Sequence, residues 1–234
     1  MNRLAFNIMG AQGSGKGTQA RALLSKFKFN YFEIGAELRK IVAQGQHPQH
    51  SEIASLMQAG QRVPDSVVVG LLEQALTTLD PEQDWLFDSI MRSHQQLMSQ
   101  ITVFEQAGIE LPTIIYLKLD RETALARIQS RLTCLNCGYS TINLVASQAN
   151  DKSLCPVCQT ELSTRHDDEL SVASTRLDLF FKDTLPLIEE FRAAGKIIEI
   201  DAKPDIKSVT ESLLQAIESH YQAAGLALPM RDQS

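Results

Sequence analysis

The sequence predicts an α/β fold in three layers, a parallel sheet between helices, with two small lobes inserted into it. Three observations carry the prediction. Short apolar segments alternate with helical patterns along most of the chain. A glycine-rich run, Gly10-Ala11-Gln12-Gly13-Ser14-Gly15-Lys16-Gly17-Thr18, joins the first apolar segment to the first helical one. Two stretches, Glu33–Val63 and Thr133–Thr164, break the alternation, and the second holds all four cysteines.

In chain order, Leu4, Phe6 and Ile8 mark a short buried strand, and Gln19 through Phe27 continue from the glycine run as a helix. Gly35, Gly45, Pro48, Gly60 and Pro64 punctuate Glu33–Val63, which reads as a small helical lobe. Asp84–Asp88, Thr113–Asp120 and Lys196–Asp201 read as further parallel strands. Gln95–Ala107 reads as a helix ending at Gly108, and Glu122–Leu132 as another. Ser171–Ala194 is a long helical stretch with a bend or break expected at Pro186 and Gly195 following its end. Ser208–Ala223 closes the fold as an amphipathic helix, and Gly225–Ser234 is expected to be a loose tail.

Composition narrows the function classes. The 234 residues are 44% hydrophobic and 21% charged, the balance of a globular protein with a real core. A net charge of −6 argues against a general nucleic-acid binder. No apolar run reaches membrane-spanning length. The first strand begins at once, with no room for a signal peptide, so the expected location is the cytoplasm.

A strand, a glycine-rich turn and a helix N-terminus together form an anion site. Backbone N–H groups point inward, the helix dipole adds positive potential, and Lys16 can reach outer phosphates. The expected ligand is a nucleoside triphosphate held by Gly13, Ser14, Gly15, Lys16, Gly17 and Thr18. Gly17 stands where phosphate loops usually carry Ser or Thr, and Thr18 comes one residue later.

Cys134-Leu135-Asn136-Cys137 and Cys155-Pro156-Val157-Cys158 are two C-x-x-C pairs. The spacing favours one tetrahedral zinc, each pair forming a knuckle that aims two thiolates at one point. Two disulfides are the alternative, disfavoured in a reducing compartment, and iron also suits a thiolate tetrahedron. Four thiolates leave no open position, so the metal is expected to be structural. The region would otherwise be too small for a core of its own.

Arginines recur through the chain: Arg39 in the first lobe, Arg92 after the Asp84–Asp88 strand, Arg127 and Arg131 at the entrance to the cysteine region, then Arg165 just after it and Arg176. At a spacing of four on the expected Glu122–Leu132 helix, Arg127 and Arg131 would share one face. With the Gly-Lys-Gly-Thr-Gln run, these positions resemble the adenylate kinase group of nucleoside monophosphate kinases, from Arg3 to about Tyr221. Gly35-x-x-Leu38-Arg39 resembles the monophosphate-lobe motif, and Ala59-Gly60-Gln61-Arg62-Val63-Pro64-Asp65 the return segment from that lobe. Arg165-His166-Asp167-Asp168 resembles the lid exit, and Lys203-Pro204 the loop beside the ATP base.

The resemblance implies a discontinuous phosphate-loop NTPase core at 1–33, 64–129 and 169–223, a monophosphate lobe at 34–63, a zinc-bearing lid at 130–168 and a flexible tail at 224–234. It implies Mg²⁺-dependent phosphoryl transfer from ATP to AMP or another monophosphate, by a monomer without nucleic-acid or membrane partners. Lys16, Arg92, Arg131, Arg165 and Arg176 would act on phosphates, with Arg127 and Lys203 at the ATP base. Ile34, Arg39, Arg62, Val63, Ser89, Arg92, Gln96, Arg165 and Arg176 would form the monophosphate side. Asp88 would hold Mg²⁺ through water, or merely cap the segment that follows it.

The acceptor side departs from the family. Ile34-Gly35-Ala36 stands for Thr-Gly-Asp, and Asp88-Ser89-Ile90-Met91-Arg92 for Asp-Gly-Phe-Pro-Arg. Gln12 replaces a phosphate-loop proline. A working kinase with altered or relaxed acceptor choice is the favoured reading. A catalytically degenerate relative that binds nucleotide is the alternative. A zinc-ribbon nucleic-acid binder fits less, since Lys152 is the one basic residue between Cys134 and Cys158.

Overall fold

A computed structural model describes residues 3–134, 136–142, 154–164 and 168–231. Strands β1 (Ala5–Met9), β2 (Phe29–Glu33), β3 (Asp84–Asp88), β4 (Thr113–Lys118) and β8 (Ile197–Asp201) form one sheet in the order β2-β3-β1-β4-β8. Each neighbouring pair is parallel, with Phe6 opposite both Leu86 and Thr113 and Glu33 opposite Asp88. The α/β class and parallel sheet expected from the sequence are therefore present.

Helices cover the sheet because the connections between parallel strands must cross over it. They are α1 (Lys16–Lys26), α2 (Ile34–Gln44), α3 (His50–Gln58), α4 (Asp65–Thr78), α5 (His94–Gln106), α6 (Arg121–Gln129), α7 (Leu170–Leu179), α8 (Leu185–Ala193) and α9 (Ile206–Ala223). Ser93, Asp120 and Asp205 cap α5, α6 and α9, each side chain accepting from the N–H three residues on. Such caps contribute about 1 kcal/mol each and set these starts sharply. The core is aromatic at its centre: Trp85 stacks on Phe87, with ring centroids 5.1 Å apart, and Phe104 meets Phe87 edge-on. Among the described residues, no helix is long and apolar enough to cross a membrane.

Several expectations are corrected. Strand β2 was not foreseen, because Asn30 interrupts its apolar pattern; Asn30 is buried, and its amide donates to Asp80 O at 2.6 Å. Helix α1 begins at Lys16, three residues before the expected Gln19. Helix α6 ends at Gln129, not Leu132, so Arg127 and Arg131 do not share a helix face. Ser130 Oγ donates back to Ala126 O, and Arg131 instead opens β5 (Arg131–Cys134), which pairs antiparallel with β6 (Ser140–Ile142) and β7 (Leu162–Ser163).

Pro186 produces no break. Lacking an N–H, it cannot bond Lys182, and the chain widens into a π-turn at Phe180–Thr184 that joins α7 to α8, with Leu185 N–H reaching Phe180 O. The tail is not loose as far as residue 231. Lys28 N–H donates to Pro229 O at 2.6 Å, Arg231 N–H to Lys26 O at 3.0 Å, and Phe27 bridges Met230.

Candidate functional site

The glycine run lies where β1 meets α1. Gly13 has φ +88°, and a Cβ there would lie 2.7 Å from the Ala124 carbonyl of α6, so glycine is required twice over. Gly15, at φ +89°, caps α1 in the left-handed region, which places Lys16 at the first helical position. Lys16 Nζ curls back to Gly10 O at 2.7 Å and Ala11 O at 3.1 Å. Ser14 is buried, while Gly17 and Thr18 follow in the first turn of α1.

Cations gather opposite this loop. Burial pushes Lys16 down to about 8; Asp88 opposes the shift, while Arg92, Arg131 and Arg176 add to it by repulsion. Burial also lowers Arg92 to about 10, with Arg176 the next cause. Arg92 remains exposed at its surface. Burial raises the Asp88 carboxyl, Lys16 opposes it, and Glu33 on the next strand adds to it. Tyr31 Oη donates to Glu33 and Asp88, 3.4 Å from each. Mutually repelling cations held together by the fold are a site built for an anion of high charge.

The sequence-predicted residues are distributed as follows. Arg131 grips Asp168 through Nε at 2.9 Å and through a second, shorter contact from its terminal nitrogen. Gln12 Nε2 donates to the same carboxylate at 3.1 Å, so the phosphate loop itself touches the partner of Arg131. Arg127 donates to Ala202 O at 2.7 Å and Lys203 O at 2.8 Å and so braces the loop expected at the ATP base. Lys203 Nζ pairs with Asp120 at 2.9 Å. Arg39 pairs with Glu33 at 2.7 Å, and Arg176 reaches Met57 O at 3.5 Å. Arg165 lies outside the described residues.

On the acceptor side, Ile34 and Val63 are buried and packed in the core cluster. Arg62 donates to Arg92 O at 2.9 Å and pairs with Asp183 at 3.0 Å. Gln96 is buried, and its carbonyl oxygen accepts from the Arg92 N–H at 3.0 Å. Ile90 and Met91 fill the core where the family has Phe-Pro. Asn7 and Gln100 bind the N–H and carbonyl of Ile90, at 3.4 and 2.8 Å. Side-chain amides thus fix a loop that has lost its proline.

Ser89 stands at φ +56°, the left-handed region that the family's glycine adopts freely. A non-glycine residue there carries about 1–3 kcal/mol of strain. Ser89→Gly is expected to stabilise the fold by about 1 kcal/mol, raising the melting temperature by roughly 2–4 °C in a protein of this size. An unchanged or lower melting temperature in calorimetry would show that the serine hydroxyl, 3.4 Å from Ile8 O, offsets the strain.

The four cysteines are free thiols whose sulfurs lie within 4.8 Å of one another, Cys134 opposite Cys158 at 3.4 Å and Cys137 opposite Cys155 at 3.5 Å. A tetrahedral zinc with bonds near 2.3 Å would separate its sulfurs by about 3.8 Å, so the set fits a thiolate-bound ion and not two disulfides. The two knuckles repeat each other. Cys134 N–H bonds Tyr139 O and Gly138 N–H bonds Cys134 O; Cys155 N–H bonds Thr160 O and Gln159 N–H bonds Cys155 O. Gly138 at φ +74° has its counterpart in Gln159 at φ +60°, a left-handed residue that no glycine announced.

A glycine loop between a strand and a helix, at the carboxyl ends of a parallel sheet and faced by converging cations, defines a phosphate-loop protein of nucleotide phosphoryl transfer. The family model described as adenylate kinase matches residues 8–196. The adenylate kinase of Desulforamulus reducens is 30% identical over 211 residues, covering 90% of this chain and 98% of its own length. That of Syntrophotalea carbinolica is 32% identical over 211 residues, with 90% and 96% covered. The chain belongs to the adenylate kinase family and is a nucleoside monophosphate kinase of that type, a phosphotransferase.

Proposed function

We propose that the protein transfers the terminal phosphoryl group of ATP reversibly to AMP, giving two ADP, and that other monophosphates are accepted more readily than a hydroxyl-lined base pocket would permit. The observation that carries this reading is the convergence of Arg92, Arg131 and Arg176 on Lys16 of the glycine loop, with the buried Asp88 beside Lys16 and Arg92. Two polyanionic nucleotides repel one another, and phosphoryl transfer needs charge neutralisation and alignment more than a covalent catalyst.

In this reading the loop 13–18 and Lys16 hold the donor phosphates. Arg131, aimed by Asp168 and Gln12, and Arg92 and Arg176 hold the transferred group and the acceptor phosphate through bidentate contacts. Arg165 would join them, and Arg39 would bind the acceptor once it leaves Glu33. Arg127 and the Ala202-Lys203 backbone flank the ATP base. Asp88, a hard oxygen donor, would hold a hydrated Mg²⁺, which would supply further neutralisation of the ATP phosphate charge. The four cysteines fit a structural Zn²⁺. The lobes at 34–63 and 130–168 would close over a core of 1–33, 64–129 and 169–223 and exclude water. The protein would act as a cytoplasmic monomer with ATP and a monophosphate as its partners. The loss of the Thr-Gly-Asp hydroxyl supports the relaxed choice of base, while Gln96, whose Oε1 accepts from the Arg92 N–H, stands where the family has a glutamine that bonds the AMP base and keeps AMP the preferred acceptor.

The test is the diphosphate formed from ATP and Mg²⁺ with AMP, GMP, CMP, UMP or dTMP in turn. AMP is expected to be the preferred acceptor with measurable turnover of at least one other. Strict AMP selectivity would overturn the relaxed reading, and no diphosphate from any acceptor would overturn the kinase assignment.

The lowered Lys16 sets a pH dependence. The ammonium form pairs with phosphate, and in the free protein it is lost as pH rises through about 8. The ratio kcat/KM for ATP, which reports free-enzyme groups, should therefore fall about tenfold per unit above that pH. Bound phosphates favour the charged form, so kcat at saturating ATP should hold to higher pH. A kcat/KM profile flat to pH 10 would contradict this.

A further inference from the structure

The π-turn at Phe180–Thr184 has a use beyond accommodating Pro186. Thr184 is buried, and its hydroxyl does not bond back into its own helix: Oγ1 donates to the main-chain oxygen of Arg92 at 2.7 Å. The same oxygen accepts from Arg62 at 2.9 Å. Arg62 in turn reaches Leu179 O at 3.4 Å and Asp183 at 3.0 Å, on the same turn of helix. Three separated segments thus meet at one carbonyl: the loop after β3, the return segment at Ala59–Asp65, and the π-turn. On the other side of that residue, Gln96 holds the Arg92 N–H and the Ser89 carbonyl accepts from Arg92 Nε at 2.9 Å.

We infer that Thr184 is a positioning residue for phosphoryl transfer: the π-turn presents its hydroxyl to the Arg92 carbonyl, fixing the aim of that guanidinium and tying it, through Arg62, to the segment that returns from the helical lobe. Local helix widenings of this kind recur where a side chain must be delivered out of helical register. A regular helix would leave the threonine free to bond the carbonyl four residues back, its ordinary choice. Here the bond goes across the site instead. Main-chain placement matters because a guanidinium at the end of a long side chain magnifies a small tilt at its Cα, and misplacement near 1 Å is enough to slow a reaction about a hundredfold. The inference rests on the reading of Arg92 as a phosphate ligand.

The experiment compares Thr184→Val, which keeps the shape and removes the hydroxyl, with Thr184→Ser, which keeps the hydroxyl, each alone and in an Arg92→Ala background. Steady-state kcat, KM for ATP and melting temperature are measured for each; Thr184→Ala stands in if valine prevents folding. The expected result is a kcat about tenfold lower for valine with KM for ATP within twofold, recovery with serine, and no further loss when valine is added to Arg92→Ala. Wild-type kcat in Thr184→Val, or a loss that adds fully to that of Arg92→Ala, would overturn the positioning role while leaving Arg92 its own. Wild-type turnover in Arg92→Ala alone would overturn the reading beneath it.

Discussion

Arg92→Ala is expected to lower kcat by three orders of magnitude or more while leaving the melting temperature within a few degrees. A single arginine that stabilises a transferring phosphoryl group contributes about 10³–10⁵ in rate. Arg92 is placed for that role by its neighbours Lys16 and Arg176, whose charges act on it and on one another beside the glycine loop. Its loop should survive the change. The Arg92 main chain donates to Gln96 and accepts from Arg62 and Thr184, and alanine retains all three bonds. Alanine removes the bond from Nε to Ser89 O, which the side chain alone supplies. Near-wild-type turnover in a coupled assay would remove Arg92 from the mechanism, and a collapsed melting temperature would make it a structural residue.

The second large effect lies at the cysteines. Cys155→Ser, or treatment with a strong chelator that would strip the proposed ion, is expected to unfold strands β5, β6 and β7 and the two cysteine knuckles and to lower kcat at least a hundredfold, with the sheet core still folded. The strands there are short, and Cys134, Cys155 and Thr133 make up most of the buried interior described. So small a region has little apolar surface to bury, and binding of a structural ion is then its folding free energy. Hydrogen exchange reads this directly, at the Cys134 and Cys155 amides that bond Tyr139 O and Thr160 O. One equivalent of metal in the native protein and rapid exchange without it are expected. Full protection and activity in a metal-free protein would contradict the account.

What the sequence made legible follows the strength of the local physical signal. The glycine loop, the C-x-x-C pairs and the strands at Asp84, Thr113 and Lys196 were readable because tight turns, knuckles and buried strands each demand particular residue types. Strand β2 was hidden by Asn30, a polar residue whose burial is satisfied by a carbonyl fifty positions away. The end of α6 was hidden because Arg131 and Leu132 suit a helix by propensity, while pairing with β6 decides otherwise. Pro186 signalled an irregularity, yet nothing local distinguishes a kink from a π-turn whose threonine has a distant partner. Ser89 and Gln159 adopt glycine-like backbone without glycine, Ser89 held by its N–H to Ile8 O on β1 and Gln159 by its N–H to Cys155 O within the knuckle. The roles of Gln12 at Asp168 and of Gln96 at Arg92 are likewise properties of the folded chain. Gln12 at least was marked by its departure from the family's proline.

The most direct test is to mix the purified protein with ATP, AMP and Mg²⁺ and follow all three adenine nucleotides by chromatography. The account predicts two ADP formed for each AMP consumed, rapid turnover only when both nucleotides are present, and little ADP from ATP alone. ATP that binds and is never passed to AMP or any other monophosphate, or ADP that forms equally well without an acceptor, would contradict it.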